Sequence, residues 1–257
     1  MTTSLPYLAI LLLLAADPPK KPAPPPPPPP LEAPQPFVSY VFPAGGQRGR
    51  TVEITATGTN VVVVSPAPNV NSLFVTGGGV TGGVVEAKEP NKAKFSLTIA
   101  PDAAAGEREI RFVTPGGVSN RFRFFVGAFA EVNEVEPNNE KGKAQRLPPL
   151  PLVVNGQILD QDRDYFRFTA KAGQVLVCEA KARAIVPFIA NAVPGWFDPV
   201  LTVYDASGRE LQYADDFHLR PDPVMFFLVP RDGEYILEMK DVIYRGRGDF
   251  IYRLTIG

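Results

Sequence analysis

The feature that most constrains this chain is an alternation of apolar and polar side chains with period two, in short runs set apart by glycine and proline. Thr51-Val52-Glu53-Ile54-Thr55-Ala56 and Lys94-Phe95-Ser96-Leu97-Thr98-Ile99 carry it, as do Arg108-Glu109-Ile110-Arg111-Phe112 and Asn120-Arg121-Phe122-Arg123-Phe124. Successive side chains of a strand point to opposite faces, so each run has one apolar and one wet face, as in an antiparallel sheet. Pro43-Ala44-Gly45-Gly46, Gly77-Gly78-Gly79, Gly82-Gly83 and Pro115-Gly116-Gly117 lie between the runs and read as turns. A second series follows Gly127, with strands expected at 165–168, 174–177, 199–204, 225–228, 234–239 and 250–254. Its turns are Asp205-Ala206-Ser207-Gly208, Pro230-Arg231-Asp232-Gly233 and Gly246-Arg247-Gly248-Asp249. No segment keeps a 3.6-residue apolar period, and 29 prolines and 22 glycines in 257 residues further oppose long helices. The expectation is an all-β chain of two tandem antiparallel sandwiches.

The N-terminus reads differently. Residues 8–16 are an apolar run ending in Ala15-Ala16, followed at once by Asp17 and proline. The run is shorter than the ~20 residues that span a bilayer, and small residues at its end suit signal peptidase. Residues 1–16 are therefore expected to be a signal peptide, although no Lys or Arg precedes the run. Residues 17–36 are low complexity, with seven consecutive prolines at Pro24–Pro30. Such a tract favours a solvated polyproline II spacer, roughly 60 Å long when fully stretched. An exported chain with a single cysteine, Cys178, cannot form an internal disulfide and must rely on its core, a metal, or both. Cys178 sits in a strand run with no neighbouring base, and reads as a small core hydrophobe.

Two resemblances refine this organisation. The stretch "PFVSYVFPAGGQRGRTVEITATGTN" is similar to the start of an IPT/TIG domain, and "GEREIRFVTPGGVSNRFRFFV" to its end. This implies an immunoglobulin-like sandwich over residues 37–127. The segments "EVEPNNEKGKAQRL", "NGQILDQDRDYFRFTAKAGQ", "DPVLTVYDASGREL" and "PRDGEYILEMKD" resemble the bacterial pre-peptidase C-terminal domain, which implies a jelly-roll-like sandwich over 128–257. Members of that family usually trail a secreted peptidase or another exported protein.

Candidate chemistry is sparse. With one histidine, His218, zinc motifs of the HExxH kind are impossible, and no Gly-x-Ser-x-Gly elbow exists. The glycine clusters match neither a dinucleotide fingerprint nor a P-loop. The acids are more informative. Glu134 and Glu136 lie two apart before Pro137, Asn138 and Asn139 follow, and Asp160, Asp162 and Asp164 repeat the same period. Carboxylates crowded this way repel unless something neutralises them, and Ca2+, with six to eight oxygen ligands, would do so. An EF-hand is excluded, because Tyr165 and Lys171 stand where that loop needs Gly and Glu. The family resemblance implies calcium ligation by Glu134, Glu136, Asn138, Asn139, Asp164 and either Asp160 or Asp162. Asn139 stands where an acidic residue is often found.

Trp196 and Phe197, in the apolar insertion "AIVPFIANAVPGWF", are the candidate ligand-binding residues; packed down, they form a lid instead. Related collagen-binding modules use sheet-face tyrosines, for which Tyr204, Tyr213 and Tyr244 are the available residues. A net charge of −1 with no basic stripe gives nucleic acid no footprint. The function expected is an exported, non-catalytic binding or scaffolding module whose partner is a protein or a cell-envelope polymer. A carbohydrate- or collagen-like polymer binder is the alternative. A carboxylate hydrolase needs two acids opposed across a cleft, and one crowded turn does not offer that.

Overall fold

The alternating runs become strands whose burial follows the sequence. In the strand over 92–99, Ala93, Phe95, Leu97 and Ile99 are buried while Lys92, Lys94 and Thr98 are exposed. The computed structural model describes residues 35–61, 72–89, 91–114, 116–187 and 195–257. The expected signal peptide and nearly all of the proline-rich spacer lie outside the described residues.

The first nine strands are β1 (Phe37–Phe42), β2 (Gly45–Gln47), β3 (Thr51–Thr59), β4 (Ser72–Val75), β5 (Val80–Glu89), β6 (Lys92–Ile99), β7 (Gly106–Thr114), β8 (Gly117–Val118) and β9 (Phe122–Gly127). They build one sheet in the order β1-β3-β6-β5 and a second in the order β2-β9-β7-β4, with β8 paired to β7. The two sheets meet where Phe95 of β6 stacks on Phe112 of β7, ring centroids 4.3 Å apart. Gly82 and Gly83, read from sequence as a turn, lie inside β5, where Gly82 pairs with Leu97. Gly45 and Gly46, also read as turn, form β2.

The remaining strands are β10 (Ala130–Asn133), β11 (Gln145–Arg146), β12 (Leu152–Gln157), β13 (Asp164–Ala170), β14 (Val175–Lys181), β15 (Pro199–Asp205), β16 (Glu210–Ala214), β17 (Val224–Leu228), β18 (Gly233–Asp241) and β19 (Ile251–Ile256). They form sheets in the orders β10-β12-β19-β14-β17 and β11-β13-β18-β15-β16. Between these sheets lies a core that includes Phe166, Phe168, Leu201, Leu237, Leu254 and Cys178. Cys178 is fully buried, and burial pushes its thiol up to about 12, as a core residue requires. Among the described residues, helix is confined to the 3-10 turn Lys141–Lys143. The fold is all-β, with none of its sheets closed into a barrel. Pairing departs from the antiparallel expectation at three short edge contacts: β2–β9, β10–β12 and β11–β13 are parallel.

The two series of strands are joined by side chains that cross over. Ile185, from the segment after β14, and Ile251 of β19 are buried within the first core beside Val38, Phe122 and Phe124. Arg123 of β9 donates from Nη1 to the Ala184 carbonyl at 2.7 Å. Buried Arg253 of β19 approaches β2 so closely that a β-carbon on Gly45 would overlap its guanidinium.

Candidate metal centre

The acids converge because three strands deliver them to one place. β10 runs parallel to β12, and the next residue, Glu134, continues the ladder by donating its N–H to the Asn155 carbonyl at 2.9 Å. This aims the Glu134 side chain over the end of β12, where Oε1 accepts the Gln157 N–H at 2.8 Å. Asp164 opens β13 and turns inward, 0% exposed. Tyr252 of β19 comes up from the facing sheet, its hydroxyl lying between Asp164 Oδ2 and Glu134 Oε2, 3.2 Å from the latter. Gly156 makes this approach available: a β-carbon there would overlap the Tyr252 ring and the Glu134 carboxylate.

Glu134, Glu136 and Asp164 each offer a carboxylate oxygen within 4.8 Å of the other two. Asp162, 3% exposed, reaches Glu136 and is held by the N–H groups of Leu159 (3.3 Å) and Arg163 (2.8 Å). Asn138 is 0% exposed, and its N–H donates to Glu136 Oε2 at 3.0 Å. Both polar atoms of the Asn138 amide are buried without a partner, as is Asp164 Oδ1. Buried polar atoms are nearly always satisfied, and the unpartnered Asp164 Oδ1 belongs to the converging carboxylates, an arrangement whose oxygens could hold a cation. The donors are oxygen only, which suits a hard divalent ion such as Ca2+.

Of the seven residues expected to ligate metal, the structure brings together Glu134, Glu136 and Asp164, with Asp162 and Asn138 alongside. Asp162 rather than Asp160 is the inward member of its pair; Asp160 is exposed and stands outside the cluster. Asn139 is exposed too, its Oδ1 accepting the Asn138 N–H at 3.2 Å. Tyr252 and Gly156 were missed, because nothing local in the sequence links Tyr252 to an acid 118 residues earlier.

The electrostatics express the crowding. Burial raises Glu134 to about 7, against partial relief from its hydrogen bonds to Asp164, the Gln157 N–H and Tyr252. Burial, then repulsion by Glu134, holds Asp164 well above the usual carboxylate range. Burial also raises Glu136 and Asp162, which share a hydrogen bond. Carboxylates raised in this way bind protons more tightly folded than unfolded. Their contribution to stability is complete below the ordinary values of 4.5 for Glu134 and 3.8 for Asp164, and is lost as pH rises through about 7 for Glu134, with Asp164 also held well above its ordinary value. Melting of the metal-free protein in EDTA should therefore fall steadily between pH 5 and pH 8. The opposing groups, Asp205 and Glu234, have lowered values and lose their contribution only in more acid solution. A melting temperature that is flat or rises over this interval would refute the buried-acid arrangement.

Of the candidate ligand platform, Phe197 takes the packed-down alternative and Trp196 is only partly covered. Phe197 is 5% exposed and stacks on Phe250 at 5.0 Å, so it is a core residue and not a contact for an external ligand. Trp196 is half-buried, with the Arg183 guanidinium 5.1 Å from its ring centroid and its carbonyl accepting from Arg245 Nη2 at 2.9 Å. Residues 188–194 of that insertion lie outside the described residues. Tyr204 is occupied as well: its hydroxyl donates to buried Glu238 at 2.7 Å and Lys141 Nζ sits 3.4 Å from its ring centroid. Tyr213 and Tyr244 are exposed. His218 is exposed and packs edge-on against Phe217.

No family model matches the chain. It is 32% identical over 122 residues to a probable subtilase-type serine protease of Deinococcus radiodurans, an alignment that spans 46% of this chain and 16% of that protein. Among solved structures, the chain is similar to the protein described as "Bacteroides ovatus mixed-linkage glucan utilization locus SGBP-B" in complex with a heptasaccharide. The TM-score is 0.30 and the identity 9%, over 86% of this chain and 74% of that one. It is also similar to the Yersinia pseudotuberculosis adhesin InvE, with TM-score 0.26 and 10% identity over 82% and 51%. SGBP-B from a xyloglucan utilization locus of Bacteroides uniformis gives 0.25 and 12% over 87% and 72%. Scores this low carry no inference about what the present chain binds.

Proposed function

We propose that this chain is an exported, non-catalytic accessory protein whose C-terminal sandwich is a calcium-stabilised module of the pre-peptidase C-terminal kind, preceded by an IPT/TIG-like sandwich. The carrying observation is the convergence of Glu134, Glu136 and Asp164, with Asp162 bonded to Glu136, around the unpartnered Asp164 Oδ1. The motif likenesses and the partial match to a subtilase-type protease support the accessory role. In a glycoside hydrolase, two carboxyl groups flank the scissile bond, about 5–9.5 Å apart. Here Glu134, Glu136 and Asp164 each bring one carboxylate oxygen within 4.8 Å of the other two, a convergence on one point that suits an ion. The partner is a protein or polymer of the cell envelope.

Bound Ca2+ would supply charge neutralisation and nothing else. Glu134, Glu136, Asp162, Asp164 and the Asn138 oxygen would hold it, with Tyr252 orienting Asp164 and Glu134. Isothermal titration of Ca2+ at pH 6.5, repeated in buffers of different ionisation enthalpy, tests the reading. We expect one site with a dissociation constant of about 0.1–1 mM and release of about one to two protons, since the carboxylates must ionise to ligate. No heat up to 10 mM-scale calcium, or binding without proton release, would defeat it.

A further inference from the structure

We infer that β17 is a docking edge for an extended segment of a partner protein, apolar along its length and acidic at its C-terminal end, which adds to the sheet as one more strand. None of the calcium-site residues takes part, so this edge stands or falls separately from the metal reading.

β17 is the last strand of its sheet, in the order β10-β12-β19-β14-β17. On its inner side the Ala180 N–H donates to the Pro223 carbonyl at 3.1 Å, and the Val229 N–H to the Gln174 carbonyl at 2.8 Å. Backbone groups alternate sides along an antiparallel pair. Met225 and Phe227 therefore face β14 as well, and Val224, Phe226 and Leu228 turn their N–H and C=O groups outward. Gln212 of β16 donates its Nε2 to the Phe226 carbonyl at 3.2 Å, where a neighbouring strand would place an N–H. Sheet edges are usually guarded by charge, proline or a bulge. Val224–Leu228 contains no charged residue and no proline, and its register with β14 is unbroken. Phe226 and Leu228 are 56% and 63% exposed, and Val175, opposite Leu228 on β14, is 59% exposed. A groove of about 730 Å3 opens beside the Leu228 end, lined by Leu211 and Gln212 of β16 and by Phe227 and Tyr235. Strand addition draws affinity from such outward backbone groups and specificity from alternate side chains.

Charge fixes the direction of the added strand. Val224 lines a second cavity, of about 530 Å3, together with Arg123, Lys181, Arg183, Arg220 and the acids Glu179 and Asp222. Both acids are already engaged. Asp222 accepts the N–H groups of Ala182, Arg183 and Ala184 at 2.7–3.1 Å, and Glu179 pairs with Lys181. Arg123 pairs with Glu107 at 2.9 Å. Arg183 Nη1 is buried without a partner, and the Arg220 guanidinium has neither hydrogen bond nor ion pair among the described residues. Two uncompensated guanidiniums suit carboxylates. A strand antiparallel to β17 brings its C-terminus to the Val224 end, so acidic last residues and a terminal carboxylate reach this cavity.

Fluorescence anisotropy of the full chain with the fluorescein-labelled peptide Val-Thr-Val-Thr-Val-Asp-Asp tests the proposal. We expect saturable binding, weakened about tenfold when both Asp become Asn and the C-terminus is amidated. Arg220→Glu should weaken it at least as much. Of two peptides N-methylated at alternate residues, the one whose methyl groups face β17 should lose binding and the other keep it, a difference that apolar adhesion does not produce. No binding, or equal binding of the two methylated peptides, refutes strand addition. Polygalacturonate bound in place of the peptide, and released by Arg220→Glu, would give the cavity to an acidic polysaccharide. A dimer in sedimentation that Phe226→Lys dissociates would give the edge to a second copy. Either result overturns the proposal and leaves the calcium site intact.

Discussion

Asp164→Asn should raise the melting temperature of the calcium-free protein and abolish the rise that calcium produces in the wild type. The substitution keeps the side chain's shape and an oxygen to accept the Tyr252 hydroxyl, while removing the most deeply buried of the crowded acids. Relieving that crowding at pH 8 should be worth roughly 1–3 kcal/mol, at about 2–4 °C per kcal/mol for a chain of this length. For the wild type, 10 mM-scale Ca2+ at about 10–100 times the dissociation constant stabilises by about 1.4–2.7 kcal/mol, or roughly 3–10 °C. Two changes of opposite sign from one substitution are hard to obtain except at a cation site. Scanning fluorimetry with and without EDTA measures both. A variant less stable than wild type in EDTA, or a wild-type melting temperature indifferent to calcium, would show that Asp164 is merely a structural acid.

The second large effect is expected where Arg253 Nη1 and Nη2 each donate to a carboxylate oxygen of Glu131 at 2.8 Å. Arg253→Ala leaves Glu131 largely buried and without its bidentate partner, and opens a gap against Gly45. Breaking one side of a buried pair costs about 3–5 kcal/mol, whereas replacing both partners by apolar side chains of similar volume is often close to neutral. Arg253→Ala should therefore lower the unfolding free energy by that amount in urea titrations, and Arg253→Met combined with Glu131→Leu should recover most of it. A loss below about 1 kcal/mol for the single variant would place the pair among solvent-screened bridges and remove it as a joint.

The sequence was most readable where one face of a strand meets water. β6 and β7 alternate cleanly because their outer faces are solvated. β12 shows no such rhythm: Leu152 to Gly156 are all buried, and the period vanishes when both faces are covered. β19 is similar, since Ile251 and Arg253 face the first sandwich instead of water. At the acid site, spacing by two announced Glu134 with Glu136 and Asp162 with Asp164. It could not choose between Asp160 and Asp162, because that depends on how the turn before β13 rotates: Asp162 accepts the Leu159 N–H and is folded inward, leaving Asp160 outside. Trp196 and Phe197 illustrate the opposite limit. Neighbours in sequence, they are covered differently just before β15: Trp196 stays half-buried, while Phe197 enters the core against Phe250 and Tyr252.

Ile185 and Ile251 have a consequence for how such a protein can be taken apart or recombined. Both belong to the later half of the chain by sequence, yet they complete the hydrophobic interior of the earlier half. Severing the chain after Gly127 would strip two plugs from that interior and leave sticky holes on one fragment and stranded greasy pegs on the other. The unit that can be cut out, grafted behind another exported protein or exchanged between genes is consequently the pair, not either half.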